Sequence, residues 1–333
     1  MPIEITVGVI ARNEEKNIYN TLKNILDQSF DQKSYEIIVV DGNSVDNTRN
    51  IAKNILDASN VKYKVLNESD FGFYGHCFAR NLVIDNSDPD SKYIAYTDAD
   101  CTVDKDWLNV LYDAVRKTDD TVAGVGGPRL IADTKDKKEL VINAFLTTYL
   151  ASGGNPAFSK RNVKYVKSIA NYNALYKKKT ISQFRYDDKL ILSDDNEINF
   201  RLRHAGYSFI NVPNALVWHH ETNSIMNFAS NMFHYGVNIT NTVKKHRNLV
   251  TVNVPLTVIF ILYLIFLSPV YILLGNIILI PLLLYIIFAI AVFFEVSIRT
   301  RTVYSLLVFI LLPIQHISYG FGVLWNLFLN KNT

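Results

Sequence analysis

Two long uncharged stretches set the strongest limit on how this chain can fold. Residues 249–294 contain no Asp, Glu, Lys, Arg or His, and residues 302–330 contain only His316. A helix that crosses a bilayer needs about 20 apolar residues, so the first stretch is long enough for two spans and the second for one. The turn between the first two spans is expected at Gly275-Asn276. Because no soluble core needs apolar runs of this length, we expect an integral, multi-pass membrane protein with about three transmembrane helices.

Basic residues next to these stretches predict the orientation of the chain. They cluster at 244–247, before the first span, and at Arg299 and Arg301, between the second and the third. Loops rich in Lys and Arg stay in the cytoplasm, so three spans place both clusters inside and the C-terminus outside. Two or four spans would instead leave the C-terminus inside. The N-terminus lacks the charged and apolar regions of a signal peptide, so the part before the spans should be cytoplasmic.

Net charge and cysteine content argue against other classes of protein. The formal net charge of +3 is too small to indicate a nucleic-acid partner. Cys77 and Cys101 form no C-x-x-C pair, and in a cytoplasmic domain both are expected to be reduced.

Before residue 224, short apolar runs alternate with helical patterns. Such alternation favours an α/β fold with a mostly parallel, doubly wound sheet. Asp46 is expected to be the N-cap of the helix after the second strand. The expected strands are Ile5–Ile10, Tyr35–Val40, Lys62–Leu66 and Tyr93–Thr97. Polar clusters follow the strand ends, where a sheet of this kind binds its ligand.

The most informative of these clusters is Asp98-Ala99-Asp100, directly after the run Tyr93–Thr97. Both carboxylates should lie on one face at the mouth of a cleft, and hard oxygen ligands suit a divalent cation that carries a diphosphate. An isolated Asp-x-Asp usually only opens a turn, because Asp is a common turn residue. The polar clusters after the other strands favour the metal site here.

Four motifs in a fixed order carry a resemblance to a known family. They are Val-Ile-Ala-Arg-Asn-Glu-Glu at 9–15, Ile-Ile-Val-Val-Asp-Gly-Asn-Ser at 37–44, Ala-Arg-Asn at 79–81 and Asp-Ala-Asp at 98–100. The ordered set resembles the family-two glycosyltransferases with a GT-A fold, in the branch that builds exopolysaccharides such as succinoglycan and lipid-linked glycans. The resemblance covers roughly residues 3–236. It implies a glycosyltransferase domain at 1–222, an amphipathic juxtamembrane segment at 223–248 and a transmembrane region at 249–330.

The resemblance also implies roles for individual residues. A nucleotide sugar, expected to be a UDP-sugar, would be the donor, and Mn²⁺ or Mg²⁺ would be the cofactor. The nucleotide would be bound by Arg12, Glu14, Asp41, Arg80 and Asp98. The metal would be held by Asp98, Asp100 and His219, with the neighbouring His220 as the alternative histidine.

The acidic segment Ser193–Glu197 is expected to supply the general base. It begins a predicted helix that ends at Gly206, and Asp194-Asp195 stands where the family has Glu-Asp, so the family's base maps onto Asp195. Helix capping would also explain acidic residues at this position, and Asp194 or Glu197 could replace Asp195 as the base. One base opposite the leaving group implies single displacement, hence an inverting transferase of the hexosyltransferase type.

The acceptor is expected to be a hydroxyl of a lipid-linked or membrane-associated glycan, with membrane lipids as further partners. The alternative is a polyprenyl-phosphate monosaccharide synthase, whose acceptor is a lipid phosphate. Processive synthases carry Gln-x-x-Arg-Trp where this chain has Asn231–Gly236, which argues against polymerisation. A transporter is disfavoured because the spans hold almost no ionisable residues. The intact acidic motifs argue against an inactive scaffold.

Overall fold

The computed structural model describes residues 2–132, 134–151, 164–190, 194–246, 248 and 253–329. The chain forms two compact units, one of Met1–Ala132 with Asn155–His220 and one of Asp133–Gly154 with Glu221–Thr333. Most of the polar segment 151–167 and the basic Arg247 lie outside the described residues, as does Thr333. The proposed domain boundary near residue 222 remains a prediction.

The first unit is built around an eight-stranded sheet and a three-stranded sheet. The strands are β1 (Ile5–Ala11), β2 (Tyr35–Asp41), β3 (Lys62–Asn67), β4 (Tyr93–Asp98), β5 (Cys101–Val103), β6 (Val122–Gly126), β7 (Arg129–Ile131), β8 (Tyr165–Val166), β9 (Ala174–Lys177), β10 (Ser208–Asn211) and β11 (Val217–His219). The larger sheet has the order β3-β2-β1-β4-β9-β6-β10-β8, and the smaller one the order β5-β11-β7.

Most neighbours in the larger sheet are parallel, as the alternation of strands and helices predicted. β1 pairs in parallel with β2 and β4, and β2 pairs in parallel with β3. The sequence did not indicate that β9 would lie between β4 and β6 and run antiparallel to both. The chain enters β9 from β8 through residues 167–173, which contain no α-helix, so the right-handed βαβ rule does not fix the direction of β9.

Helices of the first unit cover both faces of this sheet. In chain order the described helices of both units are α1 (Ile18–Leu26), α2 (Thr48–Asp57), α3 (His76–Asn86), α4 (Trp107–Val115), α5 (Lys137–Leu146), α6 (Lys178–Phe184), α7 (Asp194–His204), α8 (Ile225–Lys245), α9 (Asn253–Leu274), α10 (Ile280–Thr300) and α11 (Val308–Leu324). Residues of β2 alternate between two cores: Ile37 and Val39 pack with α1, α2 and α4, whereas Ile38 and Val40 pack with α3, α6 and α7. Burial on both faces explains the uninterrupted apolar run from Ile37 to Val40.

The prediction that Asp46 is the N-cap of α2 was wrong by one residue. The N-cap is Asn47, and its side chain makes no capping hydrogen bond. Asp46 still stabilises the start of the helix, because its carboxylate accepts a hydrogen bond of 3.0 Å from the backbone N–H of Thr48. A second oxygen of Asp46 accepts from the backbone N–H of Glu15, so this side chain also connects α2 to the loop after β1.

The second unit contains two helical stretches that are long and apolar enough to cross a membrane. They are Val254–Thr300, of 47 residues, and Val303–Phe328, of 26 residues. The first is divided into α9 and α10 by a tight turn that begins at Gly275, which has a φ of 59°. The turn therefore lies where Gly275-Asn276 predicted it. The number of spans and their orientation remain predictions.

Helix α8 packs closely against α11. A Cβ added to Gly236 would lie 2.0 Å from the carbonyl oxygen of Tyr319, and one added to Gly322 would lie 2.1 Å from that of Phe233. Lys244 donates hydrogen bonds to the backbone and side-chain oxygens of Asn326 at 2.8 and 2.9 Å. The amphipathic pattern of α8 thus corresponds partly to a face that is buried inside the second unit.

Candidate active site

The carboxyl ends of three neighbouring strands bring the predicted site residues to one edge of the sheet. β1 lies between β2 and β4, with Ala11 beside Asp41 and Ile10 beside Asp98. Arg12 and Glu14 follow β1 directly. In an open α/β sheet this edge is where ligands bind.

The smaller sheet adds His219 to this edge. β11 pairs with β5 so that His219 lies opposite Cys101. One ligand atom from each of Asp100, Cys101 and His219 lies within 4.8 Å of the others. His219 Nε2 is 3.4 Å from a carboxylate oxygen of Asp100. A carboxylate and an imidazole are suitable ligands for Mn²⁺ and, with less preference for the imidazole, for Mg²⁺.

The surroundings distinguish His219 from His220. The Nδ1 atom of His219 is 3.0 Å from the backbone oxygen of His220. A carbonyl oxygen can only accept a hydrogen bond, so we assign the hydrogen to Nδ1, which leaves the lone pair on Nε2, the nitrogen nearer to Asp100. His220 is directed instead to Thr102, with its Nε2 3.4 Å from the hydroxyl. The geometry therefore places His219 at the acidic cluster.

Cys101 is the least suitable ligand of the three. The thiol is fully buried, and burial, followed by the charges of Asp100 and Asp98, raises its pKa well above the ordinary value. Its Sγ lies 3.7 Å from a carboxylate oxygen of Asp100, to which the neutral thiol can donate a weak hydrogen bond.

Asp98 is held by Arg80. One guanidinium nitrogen of Arg80 lies 3.0 Å from a carboxylate oxygen of Asp98, and the Arg80 side chain is only 2% exposed. The guanidinium also lies over the ring of Tyr96, with 5.1 Å between Cζ and the ring centroid. Arg80 thus orients a predicted site residue from inside the protein.

Glu14 lies near the acidic cluster. Burial, followed by the charge of Asp100, raises its pKa to about 7. The side-chain amide of Asn17 donates a hydrogen bond of 2.8 Å to its carboxylate. A cation bound nearby would favour the ionised form of Glu14 and lower this pKa again.

Asp41 and Gly42 form the turn after β2. The Asp41 carboxylate accepts hydrogen bonds from the backbone N–H and the hydroxyl of Ser44. A Cβ added to Gly42 would lie 3.3 Å from Cβ of Arg12 and 3.4 Å from a carboxylate oxygen of Glu68. The turn, the loop after β1 and the end of β3 therefore meet here.

Glu68 lies beside the predicted site residues Arg12 and Asp41 and was not predicted from the sequence. It is buried, follows β3 directly, and accepts a hydrogen bond of 3.0 Å from the backbone N–H of Gly75. Burial raises its pKa to about 7, and the nearby charge of Arg12 opposes that rise. Its position at the end of a parallel strand was the signal available in the sequence.

Asp195 lies in the first turn of α7 and is partly exposed. One of its carboxylate oxygens accepts a hydrogen bond of 2.7 Å from the backbone N–H of Asn196. The side chain of Asp194 lies outside the described residues. Glu197 is buried, and Arg201 binds both of its oxygens at 2.7 to 2.9 Å. Glu197 is therefore bound within α7, and Asp195 remains the candidate base.

Two further residues near the candidate site, Tyr172 and Arg129, were not predicted from the sequence. The ring of Tyr172 meets His219 edge-on, with the centroids 5.6 Å apart. Its hydroxyl is buried and has no hydrogen-bond partner in the part of the chain that the structure describes. Burial raises the pKa of the Tyr172 phenol, while the buried Arg129 lowers it and Asp195 and Asp98 raise it further. Tyr172 therefore lies within the electrostatic reach of both the acidic cluster and the candidate base.

The glycine-rich bend after β6 has a packing role. A Cβ on Gly127 would lie 2.0 Å from the carbonyl oxygen of Ala215. The buried Asn173 donates to that same oxygen at 2.8 Å and accepts from the indole of Trp107 at 2.8 Å. Close approach of backbone segments accounts for this glycine.

Residues 6–184, more than half of the chain, match the family model described as Glycosyl transferase family 2. The chain belongs to glycosyltransferase family 2. A relative from Methanococcus voltae, a dolichyl N-acetyl-α-D-glucosaminyl phosphate 3-β-D-2,3-diacetamido-2,3-dideoxy-β-D-glucuronosyltransferase, is 24% identical over 237 residues, which are 70% of this chain and 71% of the relative. The poly-β-1,6-N-acetyl-D-glucosamine synthase of Staphylococcus aureus is 26% identical over 220 residues, 64% of this chain and 49% of that synthase.

A solved structure extends the likeness to the fold of this family-2 glycosyltransferase. The mannosyltransferase of Pyrobaculum calidifontis, in complex with GDP-Man and Mn²⁺, aligns with a TM-score of 0.59 at 16% identity and covers 100% of this chain and 89% of its own. The predictions of family, of enzyme class and of a GT-A-like sheet followed by apolar helices are confirmed. The individual site residues remain predictions.

Proposed function

We propose that this family-2 glycosyltransferase transfers a sugar, with inversion, from a nucleotide sugar to a hydroxyl of a lipid-linked glycan. The proposal rests on the pair Asp100 and His219. Arg12, directly after β1, and Asp41, at the end of β2, lie at the same edge of the larger sheet as the end of β4, which Asp100 follows. The name of the M. voltae relative specifies a lipid-linked sugar as acceptor, and the P. calidifontis structure contains a nucleotide sugar with Mn²⁺.

Asp100 and His219 would hold the divalent cation, and Asp98, fixed by Arg80, would complete its surroundings. When bound, Mn²⁺ or Mg²⁺ neutralises the diphosphate that leaves. Arg12, Glu14 and Asp41 would bind the nucleotide of a UDP-sugar. Glu14 and Glu68, whose pKa values are raised to about 7, are poised to respond to the charge of the bound group.

Asp195 would accept the proton of the acceptor hydroxyl while the hydroxyl oxygen forms the bond to the anomeric carbon. The nucleoside diphosphate leaves from the opposite face, so the configuration inverts. A lipid phosphate is already ionised and has little need of such a base. A polyprenyl-phosphate synthase is therefore the less favoured reading, and the acceptor named for the M. voltae relative agrees with this.

We further propose a multi-pass membrane location, with the glycosyltransferase domain at 1–222 in the cytoplasm. The basic residues near Lys244 and at Arg299 and Arg301 support this orientation. Membrane lipids would then surround the apolar helices, and a lipid-linked acceptor would be available to the enzyme.

The test uses the full chain in detergent with membrane lipid extract and a panel of nucleotide sugars. Sugar transfer should stop in excess EDTA and return with Mn²⁺ or Mg²⁺. His219→Ala should lower metal affinity by at least about tenfold, whereas the matched His220→Ala should change it little. Full turnover in excess EDTA, or equal effects of the two histidine variants, would contradict the proposed metal site. Transfer to an unglycosylated lipid phosphate alone would contradict the proposed acceptor.

A further inference from the structure

The second unit contains a cavity among the apolar helices. It has a volume of about 590 Å³ and is bordered by α9, α10, α11 and the residues that follow α5. Sites for small molecules measure about 300–1,000 Å³ and are mostly apolar with a few polar groups. The apolar walls include Leu256, Ile259, Phe260, Pro281 and Phe288.

One edge of the cavity is polar. Within 302–330 His316 is the single residue of the types Asp, Glu, Lys, Arg and His, and the proposed transfer chemistry does not use it. Its Nδ1 is 3.0 Å from the hydroxyl of Tyr285, whose ring stacks on Phe260 at 4.7 Å between centroids. Beside it, Gln315 places its side-chain oxygen in a buried position without a hydrogen-bond partner among the described residues.

Such groups are costly within hydrocarbon. Without water, an unsatisfied amide oxygen loses its hydrogen bonds, and ionisable residues inside a membrane usually mark a functional site. The acyl chains of bulk lipid would leave the Gln315 oxygen unsatisfied. A ligand that combines an apolar chain with a hydrogen-bond donor at its polar end would fill the space between the apolar walls and satisfy the Gln315 oxygen.

We propose that this cavity binds the first isoprene units of the acceptor's lipid carrier, with the polar head of the carrier at His316 and Gln315, where a hydroxyl of the linked sugar can donate a hydrogen bond to the Gln315 oxygen. The inference rests on the proposed function, because that function supplies a lipid-linked acceptor. One cavity with one polar edge suits a single-chain amphiphile better than a two-chain phospholipid. The aromatic rings of Phe260 and Phe288 would pack against the branched chain.

The experiment labels the purified full-length protein with a photoreactive geranylgeranyl phosphate. Label should appear in the peptides around Leu256, Tyr285 and His316, and unlabelled geranylgeranyl phosphate should displace it. Dioleoyl phosphatidylglycerol should not. Equal displacement by the phospholipid would show a general lipid groove and overturn the proposal, as would label confined to other peptides.

Variants test the cavity walls and the polar edge separately. Leu256 lines the cavity, so Leu256→Trp should fill it and reduce labelling about tenfold, whereas Ile272→Trp adds the same bulk to the same helix outside the cavity lining and should not. His316→Phe should weaken binding of the phosphate probe about fivefold, whereas Gln315→Leu should weaken binding of a glycosylated lipid phosphate about fivefold and leave the phosphate probe unchanged. Unchanged labelling in Leu256→Trp would overturn the inference.

Two readouts keep this inference apart from the proposed function. Nucleotide binding should be unchanged in every variant, which confirms that the protein is folded. Failure of the proposed function would appear as absence of transfer by the wild-type protein with every nucleotide sugar. Failure of the inference would appear as an unchanged KM for a long-chain acceptor in Leu256→Trp while transfer itself persists.

Discussion

Two carboxylates of α7, only two positions apart, have different surroundings. Glu197 is 1% exposed and bound at both oxygens by Arg201, so a proton on it would disrupt a buried ion pair. Asp195 is partly exposed. Only a carboxylate with access to an acceptor can take its proton, which favours Asp195 over Glu197.

The substitutions Asp195→Asn and Asp100→Asn should separate chemistry from donor binding. Loss of a general base costs about 10²–10⁴-fold in rate, so Asp195→Asn should lower kcat by that factor and leave nucleotide affinity unchanged. Asp100→Asn removes a charged metal ligand and should weaken metal-dependent nucleotide binding as well. Nucleotide titration and single-turnover rates on both variants measure these effects. If Asp195→Asn transferred sugar at the wild-type rate, Asp194 would be the remaining candidate.

Glu68 should make stability depend on pH. Its pKa rises from 4.5 to about 7 in the folded protein, so the folded state holds this proton more tightly than the unfolded state. The free energy of unfolding should therefore fall as pH rises through that interval. Glu68→Gln removes this contribution, so its Tm relative to wild type should rise between pH 5 and pH 8. Thermal unfolding of the full chain in detergent at both pH values is the measurement, and parallel pH profiles would exclude the effect.

At the scale of elements, the contact between α8 and α11 depends on glycine. Gly236→Ala would place a methyl group 2.0 Å from the backbone oxygen of Tyr319, so the helices must separate. Overpacking of this kind costs about 1–3 kcal/mol. Asn231→Ala, at an exposed position of the same helix, is the control and should change the Tm little. A Gly236→Ala protein as stable as the control would show that the two helices have room to adjust.

Several elements could be predicted because their own residues determine them. β1, β2 and β4 consist mainly of apolar residues since both faces are covered, and their ends carry the polar motifs. The antiparallel β9 and the role of Tyr172 could not be predicted, because they depend on how distant segments meet. His219 was expected at the site from the family pattern alone, whereas its advantage over His220 comes from the pairing of β11 with β5.

At the scale of the whole molecule, the topology is open to direct test. A reporter fused after Thr333 should behave as extracellular if α9, α10 and the stretch Val303–Phe328 each cross the membrane. A reporter placed after residue 248 is the matched control and should be cytoplasmic. Protease protection and cysteine labelling from outside the cell measure both. A cytoplasmic C-terminal reporter would replace the three-span topology with one of two or four spans.

The helix pairs of the second unit determine how the enzyme can be purified. Shortening the chain to remove the apolar helices would leave Gly236 of α8 without the backbone that fills its groove. Ending earlier, before Ser224, would also remove Phe228, whose ring packs against Phe145 of α5 at 6.0 Å. Arg299, which donates to Ala144 and Thr147, would be lost as well. A version cut for solubility would expose apolar surface at either position and should aggregate, so biochemistry on this enzyme calls for the intact chain in a membrane mimetic.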